Sequence, residues 1–436
     1  MDLRLNLISL TGVYIFCLLA WLVSTDRKKI PYDTIKWGLG IQFFLSFIFM
    51  LFPSFLSFIS KLAQFFSYIY ILPLAVNERE IYPEFLNYII KDSIILRTFI
   101  IGIFIGTVCY LLIRTKFFQR VIVFISNFSR SIFIISGEEF ITGIFSIILS
   151  FESIFSFPNI KVIDLSQIFT VVTILLSTSS SFLIYYYTEN LSTSIQNVRG
   201  HLFLGSILSM FSAIVISKIM IPSETLVEHP KNKSGIHFFS NLRDGVNHVS
   251  KFTIGMILGG LFVVCIINFL DGSIQLLANI GEGKVISGDG IMTVILKVMK
   301  SGISEIFSRI NPRNILAILL FPFCLFTGIS VDILELWKTS LYLSQSLLGM
   351  SPKLSLFIPI LKENSSERVV LYSLYILGGA FSFASWGMVL GGFFSILPDR
   401  ADDIQKIALR SLLSCLLTQM ITLSMIGIFE FGTFKL

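Results

Sequence analysis

The sequence has few charged residues and few of the residues that bind metals. Only 14% of its 436 residues are charged, against about a quarter in a soluble globular domain. Four histidines and five cysteines occur, and the cysteines all lie inside apolar runs without a C-x-x-C pair. These shortages argue against a soluble fold, a disulfide framework and a zinc site. We therefore expect no metal site and no cofactor beyond a coupling ion.

Apolar residues take the place of the missing charges. Hydrophobic residues make up 54% of the chain, phenylalanine occurs 44 times, and the mean hydropathy is +0.83. Several apolar runs reach the roughly 20 residues that a membrane-spanning helix needs. The net charge of +6 fits Lys and Arg in cytoplasmic loops, so nucleic acid is not expected as a partner. The sequence predicts an all-α, polytopic protein of the cell membrane, with the lipid bilayer as its surroundings.

One apolar stretch, Ser136–Pro158, carries Glu152 in its middle. An ionised carboxylate at membrane depth is costly and usually faces a cavity or a substrate path. The apolar runs on either side, Phe140–Leu149 and Ile154–Phe157, are too short to cross a bilayer. The stretch therefore predicts a re-entrant hairpin whose tip is at residues 150–153. The alternative is one kinked span in which Glu152 is hydrogen-bonded to a neighbouring helix.

Hairpin, broken helix and helix follow one another twice, at about 137–222 and 328–431. The first broken helix is interrupted by the hydroxyl run Ser177–Ser181, and the second at Gly378-Gly379 and again at Gly387, Gly391 and Gly392. One span, 251–270, separates the two units, so the second is inverted relative to the first, as in alternating-access carriers. From 223 to 250 the chain reads as a polar loop, in which His229, His237 and His248 are solvated.

These patterns divide the chain into four parts. We predict scaffold helices at 1–135, a first transport repeat at 136–222, a polar loop with a central scaffold span and a linker at 223–327, and a second transport repeat at 328–436. Within the scaffold part, a second span is expected from Trp37 to Phe58 with a kink at Pro53, and an interfacial helix and loop after it.

Several motifs occur in the order and at nearly the spacing of a known family. They are LLAWLVSTDRKKI with WGLGIQFF near the start, HLFLGSILSMFSAIVISKIMIP from His201 to Pro222, FPFCLFTGI, and SWGMVLGGFFSILPDR followed by ALRSLL. In these motifs the chain resembles the concentrative nucleoside transporters. The resemblance implies scaffold helices around a mobile transport domain, a homotrimer, and elevator-type inward cotransport of nucleosides with Na⁺ or H⁺.

The resemblance also assigns site residues, with several departures. The family's first hairpin tip, Gly-Gln-Thr-Glu, falls on Leu149-Ser150-Phe151-Glu152, and its sodium-binding Asn falls at Phe145. The Asn-Glu of the second hairpin falls near Gly349-Met350-Ser351, where no acid is present. The predicted substrate-binding residues are Ser150, Phe151, Glu152, Ser382 and Ser385. The residues predicted for cation coupling are Glu152, Ile148, Ser177, Thr178, Ser180 and Ser181.

These side chains suit a nucleoside in principle. Phe151 offers a ring for the base, Glu152 an acceptor for a base N–H, and Ser382 and Ser385 offer hydroxyls for the sugar. Because the family's ribose-binding acid is missing, we expect weak discrimination between ribose and deoxyribose. Both coupling ions stay open, since Glu152 is a titratable group and the hydroxyl run is a possible sodium site.

Two other functions compete with nucleoside transport. The first is a diverged carrier of another small polar solute, or a paralogue that has lost transport, because so many contact residues differ from the family's. The second is an intramembrane enzyme that holds magnesium on acidic clusters. Its sole candidate cluster is Asp399, Asp402 and Asp403, and Asp402 and Asp403 are better explained as the acidic first turn of the last helix.

Overall fold

The computed structural model describes residues 3–75, 94–133, 135–157, 163–223, 238–281, 311–349, 353–362, 365–379, 381–432 and 434. Within these ranges the regular structure is helical, and no strand occurs. Among the predicted features, part of the polar loop (224–237, with His229 and His237), the linker 282–310 and the tip residues 350–352 lie outside the described residues.

The described N-terminal part contains the helices α1 (Leu3–Leu22), α2 (Tyr32–Leu51), α3 (Pro53–Ala75), α4 (Ile94–Ile113) and α5 (Lys116–Phe133). The kinked span predicted from Trp37 to Phe58 is instead two helices. The first ends at Leu51 and the second starts at Pro53, because proline suits the first position of a helix but cannot donate the hydrogen bond that would continue the preceding one.

The first repeat consists of α6 (Gly137–Leu149), a 3₁₀ helix (Ser150–Ser156), α7 (Leu165–Ser177), α8 (Ser181–Leu191) and α9 (Val198–Met220). The predicted break in the hydroxyl run is present. The hydroxyl of Ser180 accepts from the backbone N–H of Leu183 and so starts α8. Almost every side chain of α9 is buried, which puts this helix at the centre of the molecule, against α2, α3, α7 and the last helix, Ala401–Ile428.

The C-terminal half contains α10 (Phe238–Gly281), α11 (Pro312–Thr327), α12 (Ile333–Leu348), α13 (Lys353–Lys362), α14 (Glu367–Gly378), α15 (Phe383–Ile396), a 3₁₀ turn (Pro398–Arg400) and α16 (Ala401–Ile428). The prediction of a polar loop up to residue 250 is wrong from residue 238 onward, because those residues form the start of α10. His248 is therefore helical, and its ring stacks on that of Tyr110, with 5.9 Å between centroids.

The additional break predicted at Gly387, Gly391 and Gly392 is also wrong, because α15 runs through all three. A Cβ atom added at Gly387 would collide with the carbonyl oxygen of Gly259, and one added at Gly391 with that of Gly255. Both of those residues belong to α10. Small residues here let two helix backbones approach closely, which is a common way of packing helices in membranes.

Candidate transport site

The first hairpin reverses direction at Ser150, whose backbone φ of 63° lies in the left-handed region. The hydroxyl oxygens of Thr142 and Ser156 are 2.5 Å apart across this turn. A continuous helix would separate residues 14 positions apart by roughly 21 Å. By length and composition, Gly137–Ser156 is one of eight candidate spans among the described residues, but this hydrogen bond shows that the chain folds back. That the hairpin enters the membrane from one side stays a prediction.

A buried ion pair anchors the start of this hairpin. Glu139 accepts from the backbone N–H of Ser136 at 2.9 Å, which closes a capping box, and its other carboxylate oxygen lies 2.7 Å from the ammonium of Lys218 on α9. The ammonium also donates to the hydroxyl of Ser166 at 3.2 Å. Both charged side chains are almost fully buried, so hairpin, α7 and α9 are held together by polar contacts that water does not weaken.

The end of α6 meets the break between α7 and α8. Thr178 donates to the hydroxyl of Ser146 at 2.9 Å, and Ser181 donates to the carbonyl of Ile147 at 3.1 Å. Ile148 is the next residue along α6. The predicted cation residues Ile148, Thr178 and Ser181 thus lie at one place, where hydroxyl and carbonyl oxygens from two elements converge. Of the other two hydroxyls, Ser180 caps α8 and Ser177 is buried beside the thiol of Cys415.

The two broken helices meet at the same level of the molecule. The hydroxyl of Ser179, in the first break, donates to the carbonyl of Gly378, the last residue of α14. Ser206 on α9 bridges to the same break, because its hydroxyl donates to the Ser179 carbonyl at 3.1 Å and accepts from the Ser179 N–H at 3.2 Å. At the two breaks, hydroxyl groups therefore form hydrogen bonds with the unwound backbone. Backbone N–H and C=O groups that are shielded from water need such partners.

Ser382 and Ser385 lie at the second break, where they form a capping box that starts α15. The Ser382 N–H donates to the Ser385 hydroxyl at 2.8 Å, and the Ser385 N–H donates to the Ser382 hydroxyl at 3.1 Å. The second hairpin adjoins them, because a Cβ atom on Gly349 would lie 3.8 Å from the Ser382 hydroxyl. The rings of Tyr342 and Phe357, with centroids 6.2 Å apart, show that α12 and α13 also fold back on each other.

Glu152, in the first hairpin, contacts α4. A Cβ atom at Gly102 would be 2.8 Å from its carboxylate oxygen, and one at Gly106 would be 3.4 Å from its Cγ. The side chain therefore rests, half-buried, on the glycine face of α4. Ser150 and Phe151 precede it in the turn and are half-buried as well. The contacts described place Ser382 and Ser385 beside the second hairpin, and Glu152 beside α4.

Lys353, at the start of α13, was missed by the sequence reading. Its ammonium donates to the carbonyls of Gly379 and Phe381, the latter at 3.1 Å. The sequence did contain a signal for this residue. A lysine inside the apolar stretch of a hairpin costs free energy to bury, like the acid in the first hairpin, and ionisable residues in such places are commonly functional.

Two folded-back hairpins facing two broken helices define the class of the protein. In membrane carriers, this arrangement builds a solute site between inverted repeats. The chain belongs to the Na⁺ dependent nucleoside transporters. The model of that family's C-terminus matches residues 201–427, more than half of the chain, and the model of its N-terminus matches residues 11–71.

Individual relatives are distant. Sodium/nucleoside cotransporter 1 of Mus musculus is 22% identical over 447 residues, which cover 97% of this chain and 64% of the relative. The same cotransporter of Sus scrofa is 24% identical over 430 residues, covering 93% and 61%. The chain therefore spans less than two thirds of the length of these relatives.

Solved structures show the same fold. A CNTnw variant in an outward-facing state matches with a TM-score of 0.77 at 18% identity, covering 97% of this chain and 99% of that one. CNTnw in an inward-facing substrate-bound state matches with a TM-score of 0.66 at 16% identity, covering 98% of both chains.

The family and the apolar helices make the chain a multi-pass protein of the plasma membrane that belongs to a transporter family, not to a family of enzymes. The intramembrane enzyme is thereby set aside. Its acidic residues have another role, because Asp402 and Asp403 occupy the first turn of α16, where they complement the helix dipole. Asp403 also pairs with Arg400 at 2.9 Å.

Proposed function

We propose that this chain imports nucleosides by cation symport. The observation that carries the proposal is the meeting of the first hairpin with the first broken helix, where Ser146, Ile147, Thr178 and Ser181 bring oxygen atoms together. Broken helices in carriers use such unwound backbone and hydroxyls to hold a coupling ion. Membership of a Na⁺ dependent family and cotransporters as relatives support the same assignment.

Sodium is the coupling ion that this geometry favours. The oxygens between α6 and the break are hydroxyls and a backbone carbonyl, which are neutral, hard ligands suited to a monovalent cation. Two of the hydroxyls now donate to protein oxygens. If these hydroxyl hydrogens rotated away from the space between the oxygens, the oxygen lone pairs would face an ion bound there, and the backbone would not have to move.

Proton coupling is the second candidate, and one observation favours it. Glu152 is a half-buried carboxylate at the contact between the first hairpin and α4. If the hairpin and the neighbouring helix move relative to each other, the surroundings of a titratable group between them change. In carriers such groups relay protons. The experiment below separates the two ions.

The solute is proposed as a nucleoside held by Phe151, Glu152, Ser382 and Ser385, with Ser150 in the turn beside them. Support comes from the place of both serines at the second break, next to the second hairpin. A different small polar solute is the alternative, because the second hairpin lacks the acid expected for ribose. Similar uptake of a nucleoside and its 2′,3′-dideoxy analogue would fit the altered site, and a strong preference for the ribose form would contradict it.

The transport mechanism we propose is elevator-type alternating access in a homotrimer, with the two repeats moving against the scaffold helices. The repetition of the same order, hairpin, broken helix and helix, in both halves supports it. The scaffold helix α10 presents large apolar side chains outward, among them Leu258, Phe262 and Phe269, which suit contact with lipid or with other copies of the chain.

Uptake of labelled nucleosides into proteoliposomes, with Na⁺ and pH gradients imposed separately, tests the function. We expect accumulation under an inward Na⁺ gradient. Thr178→Val should raise the Na⁺ concentration for half-maximal uptake about tenfold, the effect of losing ~1.4 kcal/mol of binding. Thr170→Val is the matched control, because that buried hydroxyl bonds the backbone of its own helix. Absence of nucleoside accumulation under either gradient would refute the proposal.

A further inference from the structure

The second hairpin carries a cation of its own into the second break. The ammonium of Lys353 donates to the carbonyls of Gly379 and Phe381, which flank the interruption between α14 and α15. No carboxylate of the described residues forms an ion pair with it. The positive charge is therefore held by backbone dipoles, as a bare metal cation in a carbonyl cage would be.

The dipole of α13 disfavours a positive charge at Lys353. The local helix therefore does not explain why a lysine is present at this position. Lys353 is in the first turn of α13, where a positive charge is unfavourable because the N-terminal end of a helix is itself positive. Its ammonium reaches the opposite kind of site, the C-terminal end of α14, where unpaired carbonyls attract a cation.

The inverted repeats make this position comparable with the first break. In the first repeat, oxygens between hairpin and broken helix converge at Thr178 and Ser181, the site proposed for the coupling cation. In the second repeat, the space between hairpin and broken helix holds the Lys353 ammonium. The two repeats thus differ in the cation that bridges hairpin to unwound helix.

We propose that Lys353 is a tethered cation that occupies the space at the carbonyls of Gly379 and Phe381, here called the carbonyl cage of the second break, and fastens the second hairpin to this break without an exchangeable ion. Lys353 is in this respect a positioning residue for Ser382 and Ser385, which follow the same break. The proposal rests on the proposed function only for the comparison with a coupling cation, and its main test needs no transport.

The test is thermal unfolding of the purified, detergent-solubilised protein in choline, sodium or methylammonium chloride. Lys353→Ala empties the cage, so we expect its midpoint to fall by at least about 5 °C in choline and to recover in methylammonium or sodium. Lys353→Met keeps the volume of the side chain but not its charge, and its midpoint should fall and not recover. The wild type and Lys338→Ala, on the other arm of the hairpin, should respond alike to the three salts.

Two results would overturn the proposal. One is a Lys353→Met protein as stable as the wild type, which would show that the carbonyls need no cation. The other is a Lys353→Ala protein that no small cation restores beyond its effect on the wild type. In uptake assays, Lys353→Ala should show a Hill coefficient for Na⁺ larger by about one. A wild type that transports no nucleoside removes that last readout but leaves the thermal test intact.

Discussion

Three ionisable side chains of the hairpins lie within apolar stretches, and each has different partners. Glu139 has the ammonium of Lys218, and Lys353 has carbonyls. Glu152 rests on the glycine face of α4. Burying a charge is costly unless it is paired. Of these three side chains, Glu152 is therefore the one whose protonation state depends most on its surroundings.

We expect Glu152→Gln to abolish accumulation of the solute against its gradient. The substitution keeps the shape of the side chain but removes both the charge and the titratable proton, so the group can neither relay a proton nor offer a full negative charge to the solute. The ratio of internal to external labelled nucleoside in vesicles measures the effect. Glu189→Gln, on an exposed carboxylate of α8, is the control, and a Glu152→Gln protein that still concentrates solute contradicts the prediction.

The Glu139–Lys218 pair predicts a large loss of stability when one partner is removed alone. Lys218→Met leaves a buried carboxylate without its cation, which costs about 3–5 kcal/mol of unfolding free energy. The double variant Glu139→Gln with Lys218→Met should recover much of that loss, because no uncompensated charge remains. Unfolding in denaturant measures both. Lys406→Met is the control, since Lys406 is exposed and its pair with Asp403 is worth ~0–1 kcal/mol; an equal loss there would show that burial is not the cause.

At the scale of elements, the sequence predicted the breaks from composition but not what each break contacts. The hydroxyl run Ser177–Ser181 breaks a helix because its side chains compete for backbone hydrogen bonds and cap the next helix, and those effects are local. Gly378-Gly379 was predicted as a break for a similar local reason, and the helix does end there. Elements defined by local chemistry were therefore predictable.

The glycines of α15 show why other features were not predictable. A glycine in an apolar run signals either a loosened helix or a close approach to another backbone. Gly387 and Gly391 belong to the second kind, and the reason lies in Gly255 and Gly259, more than a hundred positions earlier. In the same way the role of Lys353 was not predictable, because its carbonyl partners lie 26 and 28 positions later, at the break between α14 and α15.

The glycine contact between α10 and α15 predicts that added volume separates the two helices. Gly391→Ala places a methyl group against the Gly255 carbonyl, so we expect a lower midpoint of thermal unfolding, by at least about 3 °C. Gly40→Ala, in α2, is the matched control, because no heavy atom lies within 4 Å of the added carbon. The same substitution there should leave the midpoint unchanged or raise it slightly. Equal midpoints for the two variants would mean that the helices pack less tightly than the structure shows.

At the scale of the whole molecule, polar contacts indicate which helices are joined to the repeats. The guanidinium of Arg368 on α14 donates to Asn6 on α1 at 2.7 Å, to the carbonyl of Gly328 at 2.8 Å and to that of Gly427 at 3.0 Å. Helix α1, predicted as part of the scaffold, is thus hydrogen-bonded to the second repeat. The first hairpin, by contrast, meets α4 and α10 through weaker contacts, such as the edge-on rings of Phe155 and Phe252, 5.4 Å apart.

This difference predicts which covalent links stop transport. In a variant without the five native cysteines, Phe155→Cys and Phe252→Cys joined by a thiol crosslinker should block uptake, because the link fixes the first hairpin to the central scaffold helix. Thr173→Cys with Ser414→Cys is the control. Their hydroxyls are 3.0 Å apart and both belong to the repeats, so oxidation should leave uptake within about twofold of the reduced protein, which is ~0.4 kcal/mol.

Reduction should restore uptake by the Phe155→Cys, Phe252→Cys pair if the crosslinker is cleavable. Full uptake with the hairpin locked to α10 would rule out an elevator movement of the first repeat, because that movement must separate Phe155 from Phe252.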